Sequence, residues 1–163
     1  MYFFFLVPSK ALTFIDSLHL NTTQKWYSEE GLNQKSIEVK YKLDKLNYSI
    51  EFDTVGTIED IEVEAKTEDL ESTVQDLIRT QLDVDCSSHK IRKVQRQYTG
   101  TEKDLFSLLN TGKKPENLTI KYELIVKCKQ PNSVDLFEYL FDHEGKLMSK
   151  SKIVFKNSSH LEY

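Results

Sequence analysis

Two aspartates stand in the same five-residue setting, Phe52-Asp53-Thr54-Val55-Gly56 and Phe141-Asp142-His143-Glu144-Gly145. A carboxylate in a recurring motif could act as a general base, hold a metal, or lock a turn by accepting backbone N–H bonds. The surroundings decide for the turn. Asp142 lies 89 positions after Asp53, and Gly145 lies 89 after Gly56. The same offset carries Tyr48 onto Phe137, Ile50 onto Tyr139, Phe52 onto Phe141 and Ile58 onto Leu147. A shared phase over a whole hairpin predicts a structural device used twice, with Asp accepting N–H bonds and Gly adopting positive φ.

The other reactive side chains form no site. The run Glu59-Asp60-Ile61-Glu62-Val63-Glu64 lacks EF-hand spacing, and its alternation predicts a strand with carboxylates on a wet face. His19, His89, His143 and His160 form no HxxxH or HExxH pair. Neither a nucleophile elbow nor a phosphate loop is present. Cys86 and Cys128 form no CxxC, so no zinc site is predicted. Cys128 falls in phase with apolar neighbours and reads as buried, and its pairing with Cys86 is left open. The expectation is therefore no catalytic, cofactor or metal-binding residues.

Composition narrows the partners. The 163 residues suit one domain or two small fused units, with 39% hydrophobic residues for a core. Charged residues make up 29%, and the net charge is -4. This balance argues against nucleic acid, which needs a basic surface to displace counterions. The one basic run, His89 to Lys93, reads as a protected strand edge. The apolar start, Met1 to Pro8, is too short to span a bilayer and lacks the basic region and cleavage site of a signal peptide. It reads as a first strand, a tail or the remnant of a longer leader. No membrane insertion is expected. The sequons at Asn21, Asn47, Asn117 and Asn157 would matter only in a eukaryotic secretory route.

The elements that must carry these residues are legible as two α+β units. In the first (1–66), Ala11, Leu12, Ile15 and Leu18 give a helix after Pro8. Gln24 to Tyr27 reads as a short strand, and Glu30-Gly31 as a turn. Ile37, Val39, Tyr41 and Leu43 alternate with Glu38, Lys40 and Lys42. A turn at Asp44-Lys45 leads into Tyr48, Ile50 and Phe52. A step of three from Ile58 to Ile61 predicts a bulge.

The second unit (67–156) repeats the order. Ser72 and Gln75 suggest a capping box for a helix carrying Val74, Leu77, Ile78 and Leu82. Strands follow at Ile91 to Tyr98, Leu118 to Cys128 and Phe137 to Phe141, with a last strand ending near Phe155. An extra helix over 101–110 is predicted from Thr101, Asp104, Leu105, Leu108 and Leu109, with Gly112 as its stop. Residues 157–163 read as a frayed tail.

This pattern resembles the PepSY-like proteins of Bacteroidetes-type bacteria, whose repeats are related in fold to the β-lactamase inhibitor protein. The resemblance rests on Val7-Pro8, Lys25-Trp26-Tyr27, the hairpin from Tyr48 to Asp60, the stretch from Lys90 to Tyr98, Tyr122-Glu123-Leu124, and Glu138 to Leu147. It implies two tandem α+β repeats whose strands join in one antiparallel sheet with helices on one face. It also implies export to the periplasm or cell surface and no enzymatic activity.

Alternation places Glu38, Lys40, Lys42, Ser49, Glu51, Thr119, Lys121, Glu123, Lys127 and Glu138 on the wet side of that sheet. Neighbouring Trp26 and Tyr27 face opposite ways, so one of them could stand there as an anchor. Trp26, Tyr27, Lys40, Glu51, Lys121 and Glu123 are thus the candidate interface of an exported binding or regulatory domain that docks an envelope protein. The alternative is a carrier of a small apolar ligand, with an enclosed pocket lined by Phe14, Tyr41 and Phe52.

Overall fold

Short apolar helices set over alternating strands account for the observed architecture. The computed structural model of the chain describes residues 7–30, 34–154 and 158–161. The elements run α1 (Ser9–Asp16), β1 (Lys25–Glu30), β2 (Lys35–Leu43), β3 (Leu46–Phe52) and β4 (Ile58–Ala65). After a 3-10 turn at Thr67–Asp69 come α2 (Ser72–Asp85), β5 (Ser88–Thr99), α3 (Glu102–Thr111), β6 (Thr119–Gln130), β7 (Ser133–Asp142), β8 (Leu147–Lys152) and β9 (Ser158–Leu161). The strands form one antiparallel sheet in the order β8-β7-β6-β5-β4-β3-β2-β1-β9. A helix followed by four strands occurs twice, and α3 interrupts the second series.

The chain divides into two compact units. One holds Met1–Glu62, Tyr98–Thr119 and Phe155–Tyr163, and the other holds Val63–Gln97 and Ile120–Val154. This differs from a simple cut at residue 66. The inserted helix α3 groups with the first unit, because Leu105 is buried and the Phe106 ring meets Phe14 edge-on at 5.5 Å. The segment expected to fray contains β9, which pairs with β1 from Trp26↔Leu161 to Glu29↔Ser158. Met1 to Leu6, Gly31, Phe155 to Asn157, Glu162 and Tyr163 lie outside the described residues.

In the first unit, α1 buries Ala11, Phe14 and Ile15. The Phe14 ring meets Phe52 edge-on at 5.7 Å, and Phe52 lies 5.9 Å from Trp26. Register explains this face. Ile37 pairs with Phe52 and Val39 with Ile50 across β2 and β3, while Trp26 pairs with Val39 across β1 and β2. In the second unit, α2 lays Val74, Ile78 and Leu82 against Leu124, Val126, Tyr139 and Phe141. Ser72 does not cap α2. It is the first helical residue, Glu71 occupies the cap without a side-chain bond, and Gln75 donates to the Leu70 carbonyl at 2.8 Å. Thr101 does cap α3, accepting from the Asp104 N–H at 3.1 Å, and Gly112 ends it at φ 68°.

The two aspartate turns are matched bond for bond. Asp53 Oδ1 accepts from the N–H groups of Val55 and Thr57 at 3.0 and 2.8 Å. Asp142 Oδ1 accepts from Glu144 and Lys146 at 3.0 and 2.9 Å. Gly56 and Gly145 donate to the carbonyls of Asp53 and Asp142, at φ of 92° and 88°. Both aspartates therefore lock their turns through one carboxylate oxygen. Beyond the turns, Ile58 and Ile61 are both buried although three apart. At the position offset by 89, β8 shifts register against β7, with Phe141↔Leu147 followed by Leu140↔Ser149.

A Cβ at Gly56 would meet the Ala11 backbone nitrogen at 2.8 Å, whereas one at Gly145 would meet the Leu77 side chain at 3.2 Å. Both positions also hold positive φ. Gly145→Ala should cost about 1–2 kcal/mol from backbone strain alone. Gly56→Ala should cost more, because its backbone contact falls to 2.8 Å while the nearest atoms at Gly145, Leu77 Cβ and the Val74 Cα, stay at 3.2 and 3.3 Å. Urea unfolding of the two variants beside the parent measures the difference.

Candidate functional site

The face of β1–β3 turned away from α1 carries the polar half of the alternation. Glu38 pairs with Tyr27 on one side and Glu51 on the other, and Lys40 pairs with Ser49. The Lys40 ammonium lies 3.2 Å from Glu38 Oε2 and 5.5 Å from the centre of the Tyr27 ring. The Ser49 hydroxyl donates to Glu38 Oε1. Lys40 and Glu51 thus stand on one surface with Tyr27. Trp26 does not. It is 1% exposed on the opposite face, beneath the core, and cannot anchor an interface.

Two like-charged residues directly opposite one another are unfavourable on a sheet. Here Glu38 faces Glu51, and β4 adds further acids. Glu38 Oε2 and Asp60 Oδ1 are both withdrawn from solvent. Burial, followed by the charges of Glu62, Glu51, Glu59 and Glu38, pushes the Asp60 carboxyl up to about 8. Sequence reading placed this acidic run on a wet strand and missed Asp60. The signal was available in part, since the two-residue turn at Asp44-Lys45 dictates that Glu38 must face Glu51. Among the described residues, no three His, Cys, Asp or Glu side chains gather in a way that could hold a metal ion.

In the second unit, the face away from α2 pairs Lys121 with Asp142, Glu123 with Leu140, and Ile125 with Glu138. Lys121 and Glu123 therefore point away from the core. The face is more aliphatic than its counterpart, with Ile125, Leu136 and Leu140 half-buried. Behind it, Cys86 and Cys128 form a disulfide with Cα atoms 5.4 Å apart, and both residues are buried. Closing a separation of 42 residues stabilises the fold by about 4 kcal/mol in the chain-entropy account. The Tyr139 hydroxyl beside it donates to Asp85 Oδ2 at 3.1 Å. Burial and that bond to Asp85 hold the hydroxyl above the ordinary phenol range.

Phe14, Tyr41 and Phe52, the residues expected to line an apolar pocket, make ring contacts with their neighbours. Phe14 and Phe52 touch each other, and Tyr41 stacks on Tyr48 at 5.1 Å. Open grooves do occur at the surface. One of about 470 Å³ is lined by Lys10, Thr13, Phe14, Glu102 and Phe106. Another of about 440 Å³ is lined by Leu77, Val84, Gly145 and Leu147.

Solved structures provide a comparison for this arrangement. A protein provisionally called periplasmic, from Bacteroides eggerthii DSM 20697, matches with a TM-score of 0.59 and 9% identity, over 91% of this chain and 90% of that one. A DUF2874 family protein from Bacteroides ovatus ATCC 8483 matches at 0.58 and 9% identity, over 90% and 88%. A BLIP-like protein from Bacteroides fragilis NCTC 9343 matches at 0.54 and 15% identity, over 91% and 88%. The chain shares their fold. At these identities the likeness extends to the fold alone. No family model matches the sequence, and no curated protein does. No helix among the described residues is long and apolar enough to cross a membrane.

The raised Asp60 carboxyl has a measurable consequence. Folded protein keeps a proton there that the unfolded chain has released between pH 3.8 and about 8. This group should therefore make stability fall as pH rises through that window. Asp60→Asn keeps the shape and cannot ionise, so it should flatten the slope and exceed the parent's stability above the window. Urea midpoints below, within and above the window provide the test, and an unchanged slope would assign the proton elsewhere.

Proposed function

We propose that this chain is a non-enzymatic binding or regulatory domain of the bacterial cell envelope, docking a protein through the sheet face that α1 leaves open. One observation carries the reading. The helix side of β1–β3 is filled by Phe14, Trp26 and Phe52, while the opposite side presents Tyr27 under Lys40 beside Glu38 and Glu51. An aromatic ring flanked by charges on an uncovered sheet is the composition from which interface anchors are drawn. Lys121 and Glu123 extend the same role to the open face of the second unit.

Two further points support the compartment and the lineage. The buried disulfide suits an oxidising environment. The neighbours in fold include a protein provisionally called periplasmic and a BLIP-like protein. The matched aspartate turns and the repeated helix-then-strands order favour a duplicated PepSY-like repeat. The engagement of both aspartates in turns and the turn setting of His143 support a binding role over a catalytic one.

A photo-crosslinking side chain placed at Lys40 tests the docking face against a control at Asp16, exposed on α1. Used in native cell envelope, the Lys40 position should yield a discrete protein adduct that Tyr27→Ala weakens about tenfold or more, the usual loss at an aromatic anchor. The Asp16 position should yield none. Equal adducts from both positions would remove the face from consideration.

A further inference from the structure

The C-terminal turn of α2 is poorly made for a helix end. It carries Asp83 and Asp85, whose charges oppose the negative end of the helix dipole, and it has no basic residue to offset them. No glycine follows in a left-handed cap. Cys86 leaves the helix directly in extended conformation, at φ -128° and ψ 140°. Left to itself this turn would fray.

Side chains from the strands of the same unit hold it instead. Gln130 donates its side-chain amide to the Asp85 carbonyl. Tyr139 bonds the Asp85 carboxylate, and the Lys150 ammonium stands 3.7 Å from the same oxygen. His89 lies 2.9 Å from Asp83 Oδ1. Cys128 ties Cys86 covalently to β6. Once these contacts are made, Cys86 is 5% exposed and Cys128 only 1%. Both halves of the bond are thus withdrawn from solvent.

We propose that the Cys86–Cys128 bond is a one-way latch, closed on the unfolded or half-folded chain by an oxidising thiol–disulfide oxidoreductase and sealed when the last turn of α2 docks. The oxidant is a protein disulfide. One cysteine thiolate attacks it to give a mixed disulfide, and the second cysteine then displaces the enzyme. Two electrons and two protons leave the chain, and the oxidoreductase departs as a dithiol. Before oxidation the acidic last turn lacks its covalent tether, so the second unit matures only where such an oxidant is present. The latch is independent of what the sheet face binds.

Two measurements test it. Native protein and urea-unfolded protein are exposed to dithiothreitol, and free thiols are counted by maleimide-polyethylene glycol mass shift. Native protein should be reduced on the order of a hundredfold more slowly, since reduction must await local opening. Equal rates would overturn the latch and make the bond a reversible surface link. Separately, amide hydrogen exchange is followed in Cys86→Ser/Cys128→Ser. The amides of Asp83 to Cys86 should exchange on the order of tenfold faster than in the parent. Parental protection there would show that the bond is dispensable. A double variant that fails to fold would support the latch, and the reduction assay on the parent would still be able to refute it.

Discussion

Register governs this molecule, and a pair of side-chain carboxylates governs register. A slip of one residue at the Asp53 turn would turn Phe52, Ile50 and their partners from the helix side to the open side. The same slip at Asp142 would do so for Phe141 and Tyr139. Each aspartate prevents it by gathering two backbone N–H groups into one oxygen while the following glycine closes the loop. Each glycine also lies against a helix, Gly56 against α1 and Gly145 against α2. The turn thus ties strand phase to helix position within each unit. The large aromatic rings of the core can then be packed without ambiguity.

Much of this could be read in the chain, because alternation is a local signal. The strands from Ile37 to Leu43 and from Leu118 to Cys128 need only their own side chains to declare two faces. The aspartate turns declared themselves by recurring in phase. What escaped was decided at a distance. The allegiance of α3 depends on where the Phe106 ring finds Phe14, far away in sequence. Ser72 looked like a cap, yet Glu71 took that place and Gln75 found the Leu70 carbonyl. The side taken by Trp26 follows from pairing with Val39, which a six-residue strand cannot show alone. The tail at Ser158 has no clear period of its own, and β1 supplies its order. For the candidate site, the opposition of Glu38 to Glu51 was implicit in the hairpin. The burial of Asp60 was not, because it depends on strands brought together from different parts of the chain.

The two units solve the same packing problem with different reserves. The first relies on rings in edge contact, with Phe14 set between Phe52 and Phe106. The second has a longer helix whose far end is acidic and uncapped, and it adds a covalent bond and a buried tyrosine at that end. A helix of fourteen residues can bury three apolar positions and still need help at its terminus. Helical stability in a small unit comes from tertiary partners more than from propensity.

The acids gathered on β2, β3 and β4 also bear on colloidal behaviour. Two copies meeting sheet to sheet would bring Glu38, Glu51 and Glu62 of each against those of the other, and would have to desolvate them together. Such a contact repels, and it repels more in dilute salt than in concentrated salt. An uncovered sheet is ordinarily an invitation to self-association. Here the acids that crowd the hairpin weigh against such a contact.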